Sequence, residues 1–451
     1  MRKLKYLIVM PRIATAPGAG YSFPLGIAYI SSSMKKAGFT VFTLNLNHYA
    51  GSLREVLAEK INKNDIDVVM TGGLSAQFNT IKPILETAKN LKPSIMTVVG
   101  GGIVTAEPEI AMSALEFADF GVIGEGELTV VELCHVLEGG QDFSAIDGLI
   151  FRKNRSYGSL GEADNGVGLY IITKRREEIA NLDLVPWPDY EGFDLGRHLS
   201  TSFSGNVTVG KNVLSMIASR SCPYSCTFCF HTVGKKYRQR SLDEIFRELD
   251  WLLSKYSIET LSMNDELFAR DVPRLKEFCT RIKERNLKWF SSFRVDDMTA
   301  EVVDLIKNSN CTIAGFGLES ADDRILKIMR KGITLEQIEN ALALAKRASM
   351  PTNGSFIFGD LEETFESANK TLDWWDSHRE YNINLLPVSA YPGTFIYKYA
   401  CSNGIIKDKI QFLKDSCPPV NVSKMSDGEF ATVMKRAMDL SIDSTKKLSS
   451  F

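Results

Sequence analysis

Short apolar runs alternate with amphipathic segments along most of the 451-residue chain, and this alternation restricts the fold more than any other feature. In the first 150 residues, the strand-like runs are Lys5–Met10, Thr40–Leu44, Val68–Thr71, Met96–Val99 and Phe120–Ile123. The segments with helical periodicity are Gly26–Ala37, Leu53–Ile61, Thr80–Leu91, Pro108–Leu115 and Leu128–Leu137. Continuous apolar strands separated by amphipathic helices are typical of a parallel sheet covered on both faces. We therefore predict a doubly wound, Rossmann-like α/β domain over residues 1–150.

Two residues in this region help to define the helix ends. Gly38 follows the first helical segment, at the position where a glycine often ends a helix in a left-handed conformation. Pro83 is expected in the first turn of the third helical segment, where a missing backbone N–H costs least. Both residues fit the proposed division into strands and helices.

Small residues follow three of the predicted strands, in the segments Thr71–Gln77, Gly100–Gly102 and Gly124–Glu127. The carboxyl ends of parallel strands meet at one edge of a sheet, and α/β sheets bind ligands there. Glycine allows a backbone to approach a ligand closely, although tight turns without any ligand are the alternative interpretation. Three such loops on one edge favour a ligand pocket.

The second half of the chain repeats the alternation after a change of character. Residues 151–205 are predicted to be a connector, with strand-like patches at Gly148–Arg152 and Leu169–Thr173. Beyond it, the strand candidates are Val213–Ala218, Thr260–Met263, Trp289–Ser292, Thr312–Phe316, Ser355–Phe358 and Ile383–Pro387. Helices are predicted to start near good N-cap residues, namely Ser241, Asp271, Thr299, Thr334 and Thr364. This pattern predicts a partial (β/α)6 barrel over residues 206–395, with its chemistry at the carboxyl ends of the strands, and a short helical region over residues 396–451.

Composition excludes several classes of protein. Lys and Arg total 53 and Asp and Glu total 55, so a net charge of −2 does not favour binding to a nucleic acid. The sequence contains no run of about 18 apolar residues, so we expect no membrane span. The apolar run Leu7–Met10 is too short for a secretory signal. Eight cysteines in a chain of this length do not form a disulfide scaffold. We therefore expect a cytoplasmic protein with neither a membrane nor a nucleic acid as its partner.

Three cysteines carry the sharpest chemical signal. Cys222, Cys226 and Cys229 have the spacing C-x3-C-x2-C directly after a predicted strand. Three thiolates on one loop suit three irons of a 4Fe–4S cluster, which normally takes four cysteine ligands. The fourth iron would then stay open, and an open coordination position indicates chemistry rather than structure. A zinc site, with His231 two residues on, and three unligated cysteines are the alternatives.

This spacing, after the first strand of a (β/α)6 pattern, resembles that of the radical S-adenosylmethionine (radical SAM) superfamily. The resemblance implies that the open iron is chelated by the amino and carboxylate groups of S-adenosylmethionine. It also implies that the reduced cluster generates a 5′-deoxyadenosyl radical, which abstracts hydrogen from an unactivated C–H bond. An electron donor such as flavodoxin or ferredoxin would be a partner. The cofactors carry the difficult chemistry, and the protein positions them.

The resemblance assigns further residues of the second half to S-adenosylmethionine. Asp265 and Glu266 fall where the family places carboxylates near the methionine amino group, and Arg294 falls where a guanidinium pairs the carboxylate. Glu319 falls near the ribose, and ordinary ion pairs are the alternative for Arg294 and Glu319. The other residues assigned to cofactor binding in this half are Phe228, Arg240, Ile357 and Gly359. After Gly359, Asp360-Leu361 departs from the Gly-x-Pro turn that relatives often have.

The first half resembles the cobalamin-binding-like domain that precedes the radical domain in one subgroup, so the resemblance covers roughly residues 3–395. Residues at positions that line the corrin and its nucleotide tail in that family are Ser75, Gln77, Gly100, Gly101, Gly102, Glu125 and Gly126. The loop after the first strand, Pro11–Tyr21, lacks the histidine that some cobalamin domains use as a lower ligand. His48 follows the second strand and is expected to be a loop residue rather than a ligand to cobalt.

Together these resemblances imply a cobalamin-dependent radical SAM enzyme that methylates an unactivated carbon of a small molecule or natural-product intermediate. Its cofactors would be a 4Fe–4S cluster, S-adenosylmethionine and cobalamin. One alternative keeps the architecture but carries out cyclisation, ring contraction or rearrangement, with or without bound cobalamin. A non-enzymatic electron carrier or sensor is a further alternative, which the open iron disfavours.

Overall fold

The computed structural model describes residues 3–15, 19–140, 142–153, 169–201 and 212–448. The chain divides into two compact units, each built from several stretches of sequence. The first unit comprises Met1–Ser202, Phe230–Gly234 and Lys407–Cys417. The second unit comprises Phe203–Cys229, Lys235–Ile406 and Pro418–Phe451. The domain boundaries expected after residues 150, 205 and 395 stay predictions.

Seven strands form one sheet in the first unit, in the order β2-β1-β3-β4-β5-β6-β7. Their bounds are Lys5–Met10 (β1), Thr40–Asn45 (β2), Val68–Gly72 (β3), Met96–Gly100 (β4), Phe120–Val122 (β5), Leu149–Arg152 (β6) and Tyr170–Ile172 (β7). Strands β1 to β5 pair in parallel, whereas β6 pairs antiparallel with both β5 and β7. The doubly wound parallel sheet is confirmed, and the two strand-like patches beside the expected connector extend it.

Eight helices of the described residues belong to the first unit. They are Leu25–Lys36 (α1), Leu53–Asn64 (α2), Phe78–Leu91 (α3), Gly102–Ala106 (α4), Pro108–Ala114 (α5), Gly126–Gly139 (α6), Leu195–Leu199 (α7) and, far along the chain, Lys409–Lys414 (α15). Gly38 has a φ of +90° just after α1, as predicted. The prediction for Pro83 is wrong, because a short 3-10 turn over Ser75–Gln77 starts α3 early and leaves the proline inside the helix.

A fully buried ion pair lies in the core of the first unit. Lys89 Nζ is 2.7 Å from Asp119 Oδ2, and both side chains are inaccessible to solvent. The same carboxylate oxygen accepts a hydrogen bond of 2.9 Å from the Thr97 amide. Charges without solvent are tolerated when paired and hydrogen-bonded, so the contact fixes α3 against β4 and the end of the loop before β5.

The second unit contains a six-stranded, wholly parallel sheet in the order β15-β14-β13-β12-β11-β8, and a two-stranded ribbon. The sheet strands are Val213–Met216 (β8), Thr260–Met263 (β11), Lys288–Phe293 (β12), Cys311–Glu319 (β13), Thr352–Phe358 (β14) and Asn382–Pro387 (β15). The antiparallel ribbon joins Ser219–Arg220 (β9) to Arg238–Gln239 (β10). Six parallel strands with intervening helices confirm the partial (β/α)6 barrel.

Five of the helices of the second unit start directly after the predicted N-cap residues. The helices of this unit are Leu242–Lys255 (α8), Val272–Glu284 (α9), Ala300–Asn308 (α10), Asp323–Ile328 (α11), Leu335–Arg347 (α12), Phe365–Asp376 (α13), Phe395–Ser402 (α14) and Asp427–Leu448 (α16). The five predicted N-cap side chains each accept a hydrogen bond from a backbone amide in the first turn. None of the helices in the described ranges is long and apolar enough to cross a bilayer.

The two faces of the barrel sheet differ in chemistry. On one face, Trp289 of β12 packs edge-on against Phe278 of α9 at 5.1 Å, and Phe356 of β14 packs against Trp374 of α13 at 5.7 Å. These rings are covered by the helices. The opposite face, called here the concave face, carries the alternate residues of each strand, such as the exposed Ser292. The carboxyl ends of its strands lead into the cysteine loop and the charged residues described next.

Candidate functional site

The three predicted ligand cysteines lie on the loop that joins β9 to β10, and all three are free thiols. Burial raises the pKa of Cys222 and of Cys226. Cys229 is exposed as a residue, but its thiol has a pKa raised to about 12. The largest cause is desolvation of the thiol, followed by the negative charge of Glu266 and the other two thiols. The thiols are therefore close enough to influence one another, and a bound cation would favour their thiolate forms.

The arrangement of these thiols suits a cluster better than a single ion. No group of three His, Cys, Asp or Glu side chains among the described residues is placed to hold one metal ion. A zinc ion would need its sulfurs about 2.3 Å from a single point, whereas an iron–sulfur cluster binds each thiolate through a different iron. The donor set of three thiols on one loop thus fits a 4Fe–4S cluster.

Thr227, between two of the cysteines, anchors the loop. Its amide donates to the Met329 carbonyl at 3.0 Å, and its carbonyl accepts from the Ile396 amide at 3.2 Å. Its hydroxyl donates to Asp360 Oδ2 at 3.0 Å. Burial raises the pKa of Asp360 to about 6. The turn that departs from Gly-x-Pro therefore supplies an acceptor for the cysteine loop, which the sequence did not reveal.

Arg294 braces the same loop through an aromatic side chain. Its guanidinium lies 3.7 Å from the ring centroid of Tyr224, which stands between Cys222 and Cys226. It also donates to both carboxylate oxygens of Asp296, at 2.8 and 3.0 Å, and to the Lys331 carbonyl at 3.0 Å. Although burial lowers its pKa, the hydrogen bonds to Asp296 outweigh this effect and raise it. The guanidinium predicted to bind a carboxylate is thus already bound to one.

Lys331 is the cation that the sequence interpretation missed. Its Nζ is 2.7 Å from Glu319 Oε1, and its charge lowers the pKa of each of the three cysteines. A Cβ at Gly317 would lie 2.5 Å from Glu319 Oε1 and 2.6 Å from Lys331 Nζ, so a larger residue there would displace the ends of these two side chains. Glu319 itself has a φ of +67°, at a bulge in β13. In the sequence, Lys331 is marked only as a basic residue that precedes Gly332 in the loop after α11.

Three of the predicted cofactor-binding residues make protein contacts at the strand ends. Asp265 accepts from the Ala218 amide at 3.0 Å and from the Ser219 hydroxyl, and burial raises its pKa to about 6. Arg240 Nη2 is 2.6 Å from Glu248 Oε2. Gly359 has a φ of +98°, and a Cβ there would lie 2.7 Å from the ring of Phe430. These residues shape the frame of the site.

The other three predicted residues of this half are more accessible. Glu266 is exposed, and its charge raises the pKa of Cys222 and Cys229, which places its carboxylate near the thiols. The ring centroid of Phe228 lies 6.0 Å from Lys331 Nζ. Ile357 is half-buried on β14, in register with Leu386. The structure therefore gathers Glu266, Phe228 and Lys331 around the cysteines.

In the first unit, the glycine loops after β3 and β4 approach each other. The Gly73 amide donates to the Gly100 carbonyl at 3.2 Å, and the Ile103 amide donates to the Gly73 carbonyl at 3.0 Å. A Cβ at Gly101, which has a φ of +87°, would lie 2.7 Å from the Gly73 carbonyl oxygen. The glycines are therefore needed for the contact between the two backbones, whatever ligand the edge binds.

The remaining predicted residues of this edge are also placed by short contacts. Ser75 is buried, and Gln77 Oε1 accepts from the Leu74 amide at 2.8 Å. Glu125 Oε2 accepts a hydrogen bond from the Ile179 amide at 2.6 Å. An added Cβ would lie 2.9 Å from Ile30 Cδ1 at Gly126 and 2.9 Å from Leu74 Cδ2 at Gly102.

The edge nevertheless keeps accessible groups for a ligand. Leu74 is 53% exposed. Gly124, after β5, has a φ of +77° and no atom within 4 Å of an added Cβ, so its backbone is open to close approach. These features leave the strand ends open to a ligand.

His48 lies in a buried polar network of the first unit. Its Nε2 is 2.9 Å from the Tyr21 hydroxyl and 3.3 Å from Asn45 Nδ2. Burial lowers its pKa, which favours the neutral imidazole. The ring is thus bound to protein groups at one of its nitrogens.

Comparison with protein families agrees with this geometry. The model of the radical SAM superfamily matches residues 216–374, and the model of the B12 binding domain matches residues 11–134. The chain contains a radical SAM domain and an N-terminal B12-binding domain. Radical SAM domains imply a 4Fe–4S cluster and S-adenosylmethionine, and the B12-binding domain implies cobalamin.

Two curated relatives cover most of the length of this chain. An uncharacterized methyltransferase of Pyrococcus horikoshii, PH0819, is 29% identical over 419 residues, covering 90% of this chain and 85% of the relative. Cytidylyl-2-hydroxyethylphosphonate methyltransferase of Streptomyces wedmorensis is 23% identical, covering 90% and 84%. The radical SAM methyltransferase TsrM of Kitasatospora setae, solved with cobalamin and a [4Fe-4S] cluster, superposes with a TM-score of 0.69 at 18% identity, covering 88% and 76%. The last comparison confirms the fold.

Proposed function

We propose that this protein is a cobalamin-dependent methyltransferase that places a methyl group on an unactivated carbon of a small molecule. The observation that carries the proposal is the cysteine loop, fixed by Thr227 beside the Glu319–Lys331 ion pair, in a chain that also has a B12-binding domain. The two curated relatives and the solved structure described above are named methyltransferases, which supports the transfer of a methyl group.

The residues of this chain would hold the cofactors as follows. Cys222, Cys226 and Cys229 would bind three irons of the cluster. The residues we assign to cobalamin are those of the glycine edge: Ser75, Gln77, Gly100, Gly101, Gly102, Glu125 and Gly126. When bound, the cluster and S-adenosylmethionine supply a radical that takes a hydrogen atom from carbon, and cobalamin supplies the methyl group.

The charges beside the thiols match the zwitterionic end of S-adenosylmethionine. We assign the methionine carboxylate to Lys331, because its ammonium group has three donors and the pair with Glu319 uses one, whereas Arg294 already binds Asp296 through two hydrogen bonds. The exposed Glu266 carboxylate is suited to the methionine ammonium group. Arg294 then acts by bracing Tyr224 and hence the cysteine loop.

Net charge and the expected reductant complete the proposal. A net charge of −2 supports a small-molecule substrate rather than a nucleic acid. A one-electron donor such as flavodoxin or ferredoxin would reduce the cluster. No residue of the described chain is assigned to that contact.

The test is an anaerobic incubation of the reconstituted full-length protein with reductant, hydroxocobalamin and S-adenosylmethionine carrying a deuterated methyl group. We expect 5′-deoxyadenosine, S-adenosylhomocysteine and methylcobalamin. Replacing any of Cys222, Cys226 and Cys229 by serine should abolish 5′-deoxyadenosine formation, whereas Cys401→Ser should not. Formation of 5′-deoxyadenosine without methylcobalamin or S-adenosylhomocysteine would contradict methyl transfer and favour a cyclisation or rearrangement on the same architecture.

A further inference from the structure

A row of uncharged polar side chains crosses the concave face of the second unit. In the parallel sheet, Ser292 of β12 is in register with Gly315 of β13, Gly315 with Asn353 of β14, and Asn353 with Asn382 of β15. Asn264 extends the row on the other side. Met263 is in register with Ser291, so the next residues on the two chain segments, Asn264 and Ser292, also lie side by side. These five residues are called here the asparagine row. None of them has a part in the cofactor contacts assigned above.

The row is accessible and incompletely hydrogen-bonded. Asn264, Ser292 and Asn353 are exposed, although they stand on the inner face of a barrel sheet. Asn353 Oδ1 accepts from Asn382 Nδ2 at 3.4 Å and from Asn384 Nδ2 at 3.3 Å. Asn353 Nδ2 and the Oδ1 atoms of Asn382 and Asn384 have no hydrogen-bond partner in the part of the chain that the structure describes. Both donors and acceptors are therefore presented to a ligand.

The charges of the concave face stand away from the centre of the row, and the exposed Glu266 follows its end member Asn264 by two residues. Towards the carboxyl ends of the strands, Arg294 is bound to Asp296, and Lys331 is paired with Glu319. In the opposite direction, Phe290 and Ile313 are in register and form an apolar layer, with Lys288 beyond it at the start of β12. An ionised group bound between Ser292 and Asn353 would lose water without a counter-ion on the residues in register with it, which is costly.

Glycine leaves space at the centre of the row. Gly315 stands between Ser292 and Asn353, and a Cβ there would lie 3.3 Å from Ser292 Oγ. Glu319 follows Gly315 by four residues in β13, which corresponds to about 13 Å along a strand. A ligand of small-molecule length, bound to the row, would therefore extend towards the strand ends where the cofactor residues lie.

We propose that the asparagine row binds the carboxamide or lactam edge of an uncharged small-molecule substrate. An asparagine side chain offers a donor and an acceptor together, and so does the edge of an amide. A site of this kind discriminates strongly, because an analogue that lacks the matching groups leaves polar atoms unpaired. This inference rests on the proposed function, since it names the substrate class of the same site.

The experiment uses the cluster-reconstituted full-length protein saturated with S-adenosylmethionine, which occupies the charged groups of Lys331 and Glu266, and three small probes of similar size. They are δ-valerolactam, which is neutral, piperidinium, which is a cation, and pentanoate, which is an anion. Ligand-detected NMR titrations should show saturable binding of the lactam alone. The side-chain amide signals of asparagine, labelled with 15N, should shift at Asn353 and Asn384. Equal binding of either charged probe, or lactam binding that leaves these signals unmoved, would overturn the inference.

Matched variants locate the binding. Asn353→Leu should weaken lactam binding by about two- to tenfold for each hydrogen bond lost, whereas Asn308→Leu, on the exposed end of α10, should leave it unchanged. If Asn353→Leu fails to fold, Ser292→Ala offers the same test from the neighbouring strand. An unchanged affinity in a folded row variant contradicts the assignment.

A second readout separates this inference from the proposed function. Reductive cleavage of S-adenosylmethionine by the wild-type protein, measured as 5′-deoxyadenosine, tests the radical chemistry without the lactam. Cleavage and methylcobalamin formation without selective lactam binding would reject the asparagine row as the substrate site and leave the function standing. Selective lactam binding without cleavage would reject the proposed function and leave a neutral-ligand site.

Discussion

The hydroxyl of Thr227 donates a hydrogen bond of 3.0 Å to the carboxylate of Asp360, and both residues are buried. The contact joins the middle of the cysteine loop to the turn after β14, 133 residues further along the chain. Together with two backbone hydrogen bonds of Thr227, it holds Cys226 and its neighbours on a fixed base. The position of the cysteine loop thus depends on a residue far from the cysteines in sequence.

Thr227→Val should loosen the cysteine loop, because the variant keeps the side-chain shape but leaves a buried carboxylate without this donor. We expect a loss of about 1–3 kcal/mol in the free energy of unfolding and a lower iron content after reconstitution. Thr280→Val, at an exposed position of α9, is the matched control. Equal iron content and equal stability in the two variants would show that the hydrogen bond does not hold the loop.

Lys331→Met should weaken the binding of S-adenosylmethionine by about 10- to 100-fold, because a carboxylate would lose a charged hydrogen-bond donor. The measurement is the change in the electron paramagnetic resonance spectrum of the reduced cluster as S-adenosylmethionine is added. Lys327→Met, an exposed position of α11, is the control. If Lys331→Met binds normally while Arg294→Met does not, the carboxylate belongs to Arg294, as the family resemblance implied.

Gly72→Ala should destabilise the first unit by about 1–3 kcal/mol, because the new Cβ would lie 2.5 Å from the Gly100 carbonyl oxygen. We also expect weaker retention of cobalamin, measured by its absorption after gel filtration. Gly26→Ala in α1 meets no atom within 4 Å and should instead stabilise by up to about 1 kcal/mol. A Gly72→Ala protein as stable as the wild type would refute the close packing of the two loops.

Glu363→Gln should flatten the dependence of stability on pH. Burial raises the pKa of Glu363 from 4.5 to about 8, so both folded and unfolded chains hold the proton below pH 4.5. Between these values only the unfolded chain releases it, and stability falls as pH rises, by up to about 1.4 kcal/mol per pH unit. Denaturation by urea from pH 5 to 8 should show a smaller slope in the variant. Glu284→Gln, which is exposed, should retain the wild-type slope.

Local signals in the sequence were enough to define most of the architecture. Each predicted N-cap, from Ser241 to Thr364, caps a helix in the structure, because the cap and the helix start are neighbours in sequence. The parallel strands were equally evident from their continuous apolar runs. The antiparallel pairing of β6 with β5 was not, since a short edge strand carries no mark of its direction.

The candidate site was less predictable, because its contacts depend on distant parts of the chain. The cysteine spacing is visible in eight consecutive residues. By contrast, Lys331 reaches the thiols from the loop after α11, and Asp360 reaches Thr227 from the turn after β14. Arg294 and Asp265 were chosen for their charge, yet that charge meets protein partners that only the folded chain brings near. Pairing between such groups has no local sequence signature.

The division of the chain into its two units has a practical consequence for dissecting the gene. A fragment that stops after Ser202 would lack Phe230–Gly234 and Lys407–Cys417, which complete the first unit. A fragment that starts there would carry those two segments without the rest of the first unit. No single cut therefore separates the two units, and work on the B12-binding portion alone calls for a spliced design that restores the missing pieces.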